Sequence, residues 1–560
     1  MGMDRELVGC DHKRPLLRRR RSALVIVLLL VTAGLGGCTS PAEFVQNGFK
    51  VGPNFQPPPA PVAANWIDAA DKRVRSEPDD LSKWWTVFHD PVLDQLICHA
   101  YRQNLTLREA GFRVLQARAQ LGIAAGNLLP QTQFGRADFT WLAESAQVSR
   151  GPVGSRFTSR WDAGFNLSWE LDFWGRLRRA VESANDNLDA SVNDYDDVLV
   201  TLLSDVATNY VQMRVTEQRI KYARENVKLQ EKTWKIALAR IKIDADGELS
   251  ASQSEALLKQ TAAAIYELEI SQRLSANQLC ILLGIPPEDL ATRLGTGPIP
   301  TAPPEVGLGI PANLLRRRPD IRRAESFAAS QCAQIGIAEA EFYPQISLVG
   351  TLGYSAAQFK DLFRSSAFNG AFGPSLQWNI LNYGRLLNNV RFQDAKFQEL
   401  VAHYQETVLT AQQEVENGLV TFLKAQQRTK LQAESAAAAD KGEKLVAGRY
   451  ENGLENFTRV TQLQQLLVQE QDILAQAQGE IALGLIQVYK ALGGGWEIRC
   501  TGCEADLPEQ LKAPQAAPGV GPSRPALTIP PAAPVFDHLP EALPPAPGNV
   551  RARLGNPSVF

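Results

Sequence analysis

The sequence lacks an excess of charge of either sign. Among its 560 residues, 58 Lys and Arg are balanced by 60 Asp and Glu, which leaves a formal net charge of −2. A nucleic-acid-binding protein normally carries a concentrated basic face, so the sequence gives no support for such a partner. The charged fraction of 21% and the hydrophobic fraction of 44% are typical of a folded protein.

Cysteine and histidine are also scarce. The seven cysteines are scattered along the chain, which excludes the dense disulfide framework of a small secreted domain. Cys500 and Cys503 form a CxxC pair, which we expect either to close a small loop or to have no role. We expect no metal at the adjacent Cys98 and His99, and neither a nucleophile elbow nor a zinc-protease motif is present. The sequence therefore predicts neither a cofactor nor an enzyme.

Long apolar runs are missing as well. No run approaches the ~18 residues of a transmembrane helix. Residues 23–35 form a shorter run that follows a basic stretch and suits the core of a signal peptide. The run leads into LGGC, ending at Cys38, which resembles a bacterial lipobox and predicts cleavage before Cys38 and lipid on that residue. An ordinary signal peptide with a chance cysteine is the alternative. Thr39 stands where an Asp would retain a lipoprotein at the inner membrane, so we expect export outward.

The sequence repeats itself. Residues 169–177 read WELDFWGRL, and residues 378–386 read WNILNYGRL. Upstream, QLGIAAGNLLPQ at 120–131 is matched by QIGIAEAEFYPQ at 334–345. The offset is 214 in the upstream match and 209 from Trp169 onward, and the five-residue difference is absorbed in the intervening loop. The second offset is kept over more than a hundred residues, which predicts two tandem copies of one unit.

The chain therefore divides into predicted segments. These are a lipoprotein signal peptide (1–37), a lipidated proline-rich segment (38–80), a first unit of strands and helices (81–290), a linker (291–313), a second unit (314–496) and a proline-rich disordered tail (497–560).

Each unit contains the same predicted helices. A first helix (104–126 or 318–341) ends before a proline. A second helix (176–242 or 385–451) contains no proline and has a length on the order of 100 Å. Helices of this length need neighbours along their sides, as in a coiled coil. A shorter helix returns after a turn containing Gly247 or Gly453.

Between these helices, apolar and polar residues alternate. From Trp161 to Asp172 the odd positions are mostly apolar and the even positions are polar or glycine, and similar patterns occupy 346–354 and 372–380. Period-two alternation predicts strands with two environments. Outer-membrane strands have this pattern, and so does a half-buried hairpin of a soluble protein. Both interpretations remain open on the pattern alone.

If the strands lie in a membrane, the repeat leads to a closure argument. Two units supply four strands with two open edges, and an open edge cannot lie in hydrocarbon. Eight strands from two chains would fill their own interior, whereas twelve strands from three chains would leave a lumen. Trp169 and Trp378 would then lie on strands near the membrane interface. Gly175-Arg176 and Gly384-Arg385 would join strand to helix, the glycines supplying backbone freedom.

The chain resembles the NodT-type, TolC-like outer-membrane efflux lipoproteins. The stretches that carry the resemblance are the lipobox ending at Cys38, VGP at 51–53, WW at 84–85, RRPDI at 317–321, FYPQ at 342–345, YGR at 383–385 and YKALGGGW at 489–496.

The resemblance implies a mainly α fold with β: four transmembrane strands and long periplasmic helices per protomer. A homotrimer would form a 12-stranded β-barrel continued by an α-helical barrel. It further implies a passive exit duct for small molecules, anchored by lipid in the outer membrane and docked to a periplasmic adaptor and an inner-membrane efflux transporter. Alternatives are the duct of a type I protein-secretion system and a non-channel structural lipoprotein.

The resemblance also assigns positions in the turns between helices. The periplasmic tips that meet the adaptor would include Gly247, Leu249, Asn452, Gly453 and Leu454. After the second tip the family usually carries an Asp that rings the entrance, and here Gln462 occupies that place.

Arg459 lies beside this departure from the family pattern. If three copies of Arg459 face the lumen, they would repel cations. On an outer face the side chain would simply be solvated.

Overall fold

The computed structural model describes residues 41–77, 79–145, 147, 157–242 and 247–503. The predicted signal peptide, Cys38 and residues 504–560 lie outside the described residues. The contacts divide the chain into two compact units. The first contains Gln116–Ala190, Ala324–Tyr404 and the chain up to Pro59; the second contains Ala60–Leu115, Ser191–Arg323 and the chain from Gln405 onward. Each compact unit therefore takes residues from both sequence repeats.

The helices follow in chain order. They are α1 (Pro41–Gln46), α2 (Pro91–Gln103), α3 (Leu105–Gly126), α4 (Arg176–Ile241), α5 (Glu248–Leu282), α6 (Leu290–Leu294), α7 (Leu314–Arg317), α8 (Pro319–Ala340), α9 (Arg385–Glu451), α10 (Phe457–Ala491) and α11 (Ile498–Thr501). The strands are β1 (Val74–Arg75), β2 (Thr132–Ala143), β3 (Phe157–Leu171), β4 (Val306–Gly307), β5 (Gln345–Ala356) and β6 (Phe368–Gln377).

The two long helices confirm the prediction from the sequence. α4 has 66 residues and α9 has 67, because neither contains a proline that would remove an amide donor. The first helix of each repeat ends near the predicted boundary, at Gly126 and Ala340. Among the described residues, no helix is both long and apolar enough to cross a membrane.

A four-stranded antiparallel sheet lies in the first compact unit, with the order β2-β3-β5-β6. The register separates two faces. One face pairs Phe165 with Leu352, whereas the other pairs Asn166 with Thr351. β2 and β6 each pair with one neighbour and form the edges of this sheet. The alternation predicted from the sequence is therefore present, and so are the four strands with open edges.

Two details of the strands differ from the sequence interpretation. The apolar–polar pattern does not predict the bounds of β2. Its sequence TQFGRADFTWLA places Phe134 on the face opposite Phe139, which breaks the alternation. The strand expected to run to Ile380 ends at Gln377. Trp378 is therefore not a strand residue, which corrects the prediction, and its indole instead donates a hydrogen bond to the carbonyl of Phe342 at 2.9 Å. Trp169 does lie in β3.

The pairing of cysteines also differs from the expectation. Cys503 forms a disulfide with Cys98 in α2, and the two Cα atoms are 5.6 Å apart. The prediction that Cys500 and Cys503 close a small loop is wrong. Folding instead brings α2, with Cys98, next to the chain after α11. Cys500 is an exposed free thiol. No cluster of metal-ligating side chains occurs within the described ranges.

Each long helix begins directly after a glycine with a left-handed backbone. Gly175 has φ +84° and Gly384 has φ +78°, a region that glycine occupies without steric cost. The first joint is enclosed, because a Cβ on Gly175 would lie 2.8 Å from the Cα of Lys50. The second joint is open, because a Cβ on Gly384 would lie 3.8 Å from its nearest neighbour, in Asn388.

The two joints therefore predict unequal effects of the same substitution. Gly175→Ala and Gly384→Ala share a backbone cost of about 1–2 kcal/mol. Gly175→Ala adds a clash with backbone atoms, which costs roughly 1–3 kcal/mol more. Thermal unfolding followed by circular dichroism should show a clearly larger loss for Gly175→Ala. Equal losses would contradict the enclosed geometry of the first joint.

Candidate channel entrance

Two turns between long helices lie in the second compact unit. The first lies between α4 and α5, where Gly247 caps α5 with an extended backbone and residues 243–246 lie outside the described residues. The second lies between α9 and α10, where Gly453 has φ +73°. Leu249, in the first turn of α5, and Leu454, in the second turn, are 70% and 74% exposed. Each turn therefore presents an exposed leucine.

Local chemistry explains where α10 begins. Asn456 has an extended backbone, and its side chain accepts a hydrogen bond from the amide of Arg459 at 3.1 Å. This is an N-cap, which satisfies a helix-terminal amide that has no partner within the helix. Asn452 lies at the other end of the turn, and its side-chain amide donates to the carbonyl of Gly448 at 2.7 Å.

A small apolar cluster holds the two turns together. Its buried members are Ala237, Ala251, Val446, Tyr450, Phe457 and Val460. Arg240 covers the cluster, because its guanidinium lies 4.7 Å from the centre of the Tyr450 ring and donates to the Tyr450 carbonyl at 2.7 Å. The ends of both helical hairpins are thus packed against each other.

Above this cluster, a row of polar contacts joins α4 to the second hairpin. Four positions of α4 spaced seven residues apart contribute. Arg219 pairs with Asp472 at 2.6 Å, Asn226 with Gln471 at 2.7 Å, Thr233 with Gln464 at 2.8 Å, and Arg240 with the Tyr450 carbonyl at 2.7 Å. A seven-residue repeat keeps one side of a helix facing its partner over many turns. We call these contacts the polar seam. The polar seam was not predicted from the sequence, although the seven-residue spacing of these four positions could have indicated it.

The seam contains a buried carboxyl group. Glu443 is 2% exposed and accepts a hydrogen bond from Gln464 at 3.1 Å, while the same Gln464 amide donates to Thr233. Burial raises the pKa of Glu443 above its usual range, and Asp440 raises it further. The hydrogen bond from Gln464 and the charges of Lys444 and Lys232 oppose this effect. The Gln464 amide therefore links three helices, and the carboxyl group of Glu443 that it contacts is buried at a cost in desolvation.

The two gate candidates lie on the exposed side of α10. Arg459 and Gln462 are exposed, while Phe457 and Val460 of the same helix are buried in the cluster. The spacing of three residues places Arg459 and Gln462 on one helix face. Both side chains are therefore accessible at the level of the turns.

The joint residues lie in the first compact unit. The guanidinium of Arg176 makes two hydrogen bonds to Glu170, at 2.7 and 3.0 Å, and so ties the start of α4 to β3. Arg385 begins α9, where its amide donates to the carbonyl of Asn382 at 2.9 Å. The equivalent tryptophans also make equivalent contacts, because the indole of Trp169 donates to the carbonyl of Leu128 at 3.1 Å as that of Trp378 does to Phe342.

Comparison with known proteins agrees with this architecture. The family "Outer membrane efflux protein" matches residues 96–285 and 310–494. The chain is 29% identical over 447 residues to nodulation protein T of Rhizobium leguminosarum bv. viciae, covering 80% of this chain and 90% of the relative. It is 31% identical over 427 residues to the pyoverdine export outer membrane protein OpmQ of Pseudomonas aeruginosa, covering 76% and 89%.

Solved structures of outer-membrane channels are similar. The outer-membrane channel OprN superimposes with a TM-score of 0.75 at 30% identity, covering 80% of this chain and 99% of that chain. The open state of the MtrE outer membrane channel of Neisseria gonorrhoeae gives a TM-score of 0.71 at 27% identity, covering 80% and 98%.

Two matched segments, a sheet with two unlike faces and paired long helices define an outer-membrane channel. The chain belongs to the outer membrane efflux protein family. It is an outer-membrane efflux channel of the NodT type, and this family is one of transport proteins.

The raised pKa of Glu443 predicts a pH-dependent effect of Glu443→Gln. A carboxyl group whose pKa is raised by folding favours the folded state when protonated, so this contribution is lost as the pH rises through the folded pKa. Gln stays neutral and can still accept from Gln464. The melting temperature of Glu443→Gln should therefore exceed that of the wild type by a few degrees at pH 8, with the difference shrinking at pH 4.

Glu406 is exposed on the same helix, and Glu406→Gln is the matched control. A lower melting temperature of Glu443→Gln at pH 8 would show that the ionised carboxylate stabilises the seam.

Proposed function

We propose that three copies of this chain assemble into the duct. The support is the four-stranded sheet, whose edge strands β2 and β6 each have one neighbour. In hydrocarbon the free amides and carbonyls of such an edge cost several kcal/mol each, so the edges must pair between chains. Three sheets give twelve strands, the smallest closed arrangement in this series that leaves a lumen.

The duct would be the exit component of a tripartite efflux pump. A periplasmic adaptor and an inner-membrane transporter would deliver small molecules, which then pass through this channel passively. Relatives named for pyoverdine export and toluene efflux support a small-molecule cargo. The docking surface for the adaptor would be the two turns, with Gly247, Leu249, Asn452, Gly453 and Leu454, because Leu249 and Leu454 expose apolar surface beside the packed cluster.

We further propose that Cys38 carries the lipid anchor. Cys38 itself lies outside the described residues, but α1 begins three residues later. Phe44 of α1 packs on Trp174, with ring centres 5.9 Å apart, and Trp174 immediately precedes the first joint. α1 is thus packed beside the point where β3 gives way to α4.

The lipid anchor is tested by labelling. Cells expressing the protein are fed an alkyne fatty acid, and the purified protein is coupled to a fluorophore. The wild type and the control Cys500→Ser should be labelled, and Cys38→Ser should not. Label that persists on Cys38→Ser would contradict the anchor.

The duct itself is tested by conductance. Detergent-extracted protein is recorded in planar bilayers, and its mass is measured in the same sample. We expect a trimer with discrete, mostly closed conductance steps. A monomer that never conducts would overturn the closure argument.

The same recordings locate Arg459. If Arg459 faces the lumen, Arg459→Asp should shift the reversal potential in a salt gradient toward cation selectivity, because three positive charges become three negative charges at the mouth. Lys72→Asp makes the same charge change at an exposed site far along the chain and serves as the control. An unchanged reversal potential would place Arg459 outside the lumen.

A further inference from the structure

The chain after the second repeat is fastened to α2 and α4 within the second compact unit. We call residues 496–503 the C-terminal clasp. Its last residue, Cys503, is bonded to Cys98 of α2, and the side chain of Arg102 donates to the Cys503 carbonyl. The disulfide joins residues 405 positions apart in the sequence.

A second attachment does not depend on the disulfide. Arg499 of the clasp pairs with Asp196 at 2.8 Å, and Arg322 pairs with the same carboxylate at 3.1 Å. Asp196 is completely buried. The guanidinium of Arg322 also lies 5.0 Å from the ring centre of Trp496. Breaking the disulfide would therefore leave the clasp held by buried ionic and aromatic contacts.

A third cysteine lies beside the disulfide. Cys500 is exposed, whereas Cys98 is 3% exposed, and Cys503 is half-buried. Cys500 belongs to α11, and Cys503 follows Gly502, which ends that helix. Gly502 has φ +72°, and a Cβ there would have no atom within 4 Å. Only two residues separate Cys500 from Cys503, which is the spacing at which the two cysteines of a CxxC pair can form a disulfide.

Tyr101 of α2 lies within electrostatic range of Cys500. Burial raises the pKa of Tyr101; Arg499 opposes this, and negative charge on Cys500 raises it further. Tyr101 lies three residues after Cys98 on the same helix. A free, exposed thiol thus lies three residues from a disulfide-bonded cysteine, in a protein whose compartment maintains disulfides.

We propose that Cys98, Cys500 and Cys503 form a thiol–disulfide exchange site. The Cys500 thiolate attacks Sγ of Cys503, the Cys500–Cys503 bond forms, and the Cys98–Cys503 bond breaks. Cys98 leaves as a thiolate and takes up a proton equivalent to the one that Cys500 lost. The step is an isomerisation and needs neither an oxidant nor a reductant. It converts a clasp that is covalently bound to α2 into one held by Asp196.

Accessibility favours this direction of attack. Cys503 is the more accessible sulfur of the disulfide, because Cys98 is buried in α2. Cys280 and Cys332, the other free thiols in the described part of the chain, are also buried. The CxxC spacing thus places an accessible thiol three residues from the disulfide-bonded Cys503, where it can exchange with the bond to Cys98.

The exchange is tested by peptide mapping without reduction. The purified full-length protein is incubated at pH 8.5 without added thiol, quenched with acid, alkylated and digested with trypsin. Cleavage after Arg499 leaves Cys500 and Cys503 in one peptide, so the exchanged bond is an internal loop that lowers the mass of that peptide by two hydrogens. Alkylated Cys98 must appear in equal amount.

We expect the looped peptide to accumulate in the wild type and in the control Cys280→Ser, and to be absent from Cys500→Ser. A wild type that keeps only the Cys98–Cys503 link would overturn the proposal. So would a Cys98–Cys500 link in its place.

A second variant tests the geometry directly. In Cys98→Ser, oxidised glutathione should convert Cys500 and Cys503 into the internal loop, because the CxxC spacing allows the two sulfurs to meet. If both cysteines instead carry glutathione, the loop cannot form and the exchange site is refuted. This readout does not depend on channel activity, so it is independent of the proposed function.

Discussion

The unpaired backbone groups at the edges of the four-stranded sheet constrain the rest of the molecule. Each free amide or carbonyl on β2 or β6 has no water to bind in hydrocarbon, so one chain cannot be the functional unit. The internal repeat reduces the number of chains needed for closure, since each chain brings four strands rather than two. The same repeat supplies two helical hairpins per chain. Oligomeric state, duplication and strand number are therefore consequences of one hydrogen-bonding requirement.

The two repeats keep equivalent contacts but not equivalent surroundings. Trp169 and Trp378 both donate to a carbonyl just after the end of the preceding helix, and both joints use a left-handed glycine. The first joint is enclosed by the segment around Lys50, whereas Tyr383 at the second joint is 94% exposed. Duplication preserved the left-handed backbone, which glycine adopts without steric cost, while the N-terminal segment covers one copy of the joint.

Local sequence patterns predicted most of the fold, but they did not predict contacts between residues distant in sequence. The boundaries of α4 and α9 followed from the absence of proline, and β3 followed from alternation. β2 was not predicted, because aromatic residues lie on both of its faces. The Cys98–Cys503 bond was not predicted, because sequence spacing favours pairing between cysteines that are close in sequence, while the fold brings together residues 405 positions apart. Of the candidate entrance, the turns were predictable from glycine, but the partners of Arg219 and Gln464 required the packing of the hairpins.

The polar seam and the strand ladder differ in how they can open. The seam consists of separate side-chain contacts, and each contributes on the order of 1 kcal/mol, so they can break one at a time. The ladder of the sheet is continuous, and breaking one register exposes every backbone group of a strand. We therefore expect a conformational change in this chain to begin in the hairpins. Glu443 favours such an opening, because its buried carboxyl group is desolvated and would be hydrated once exposed.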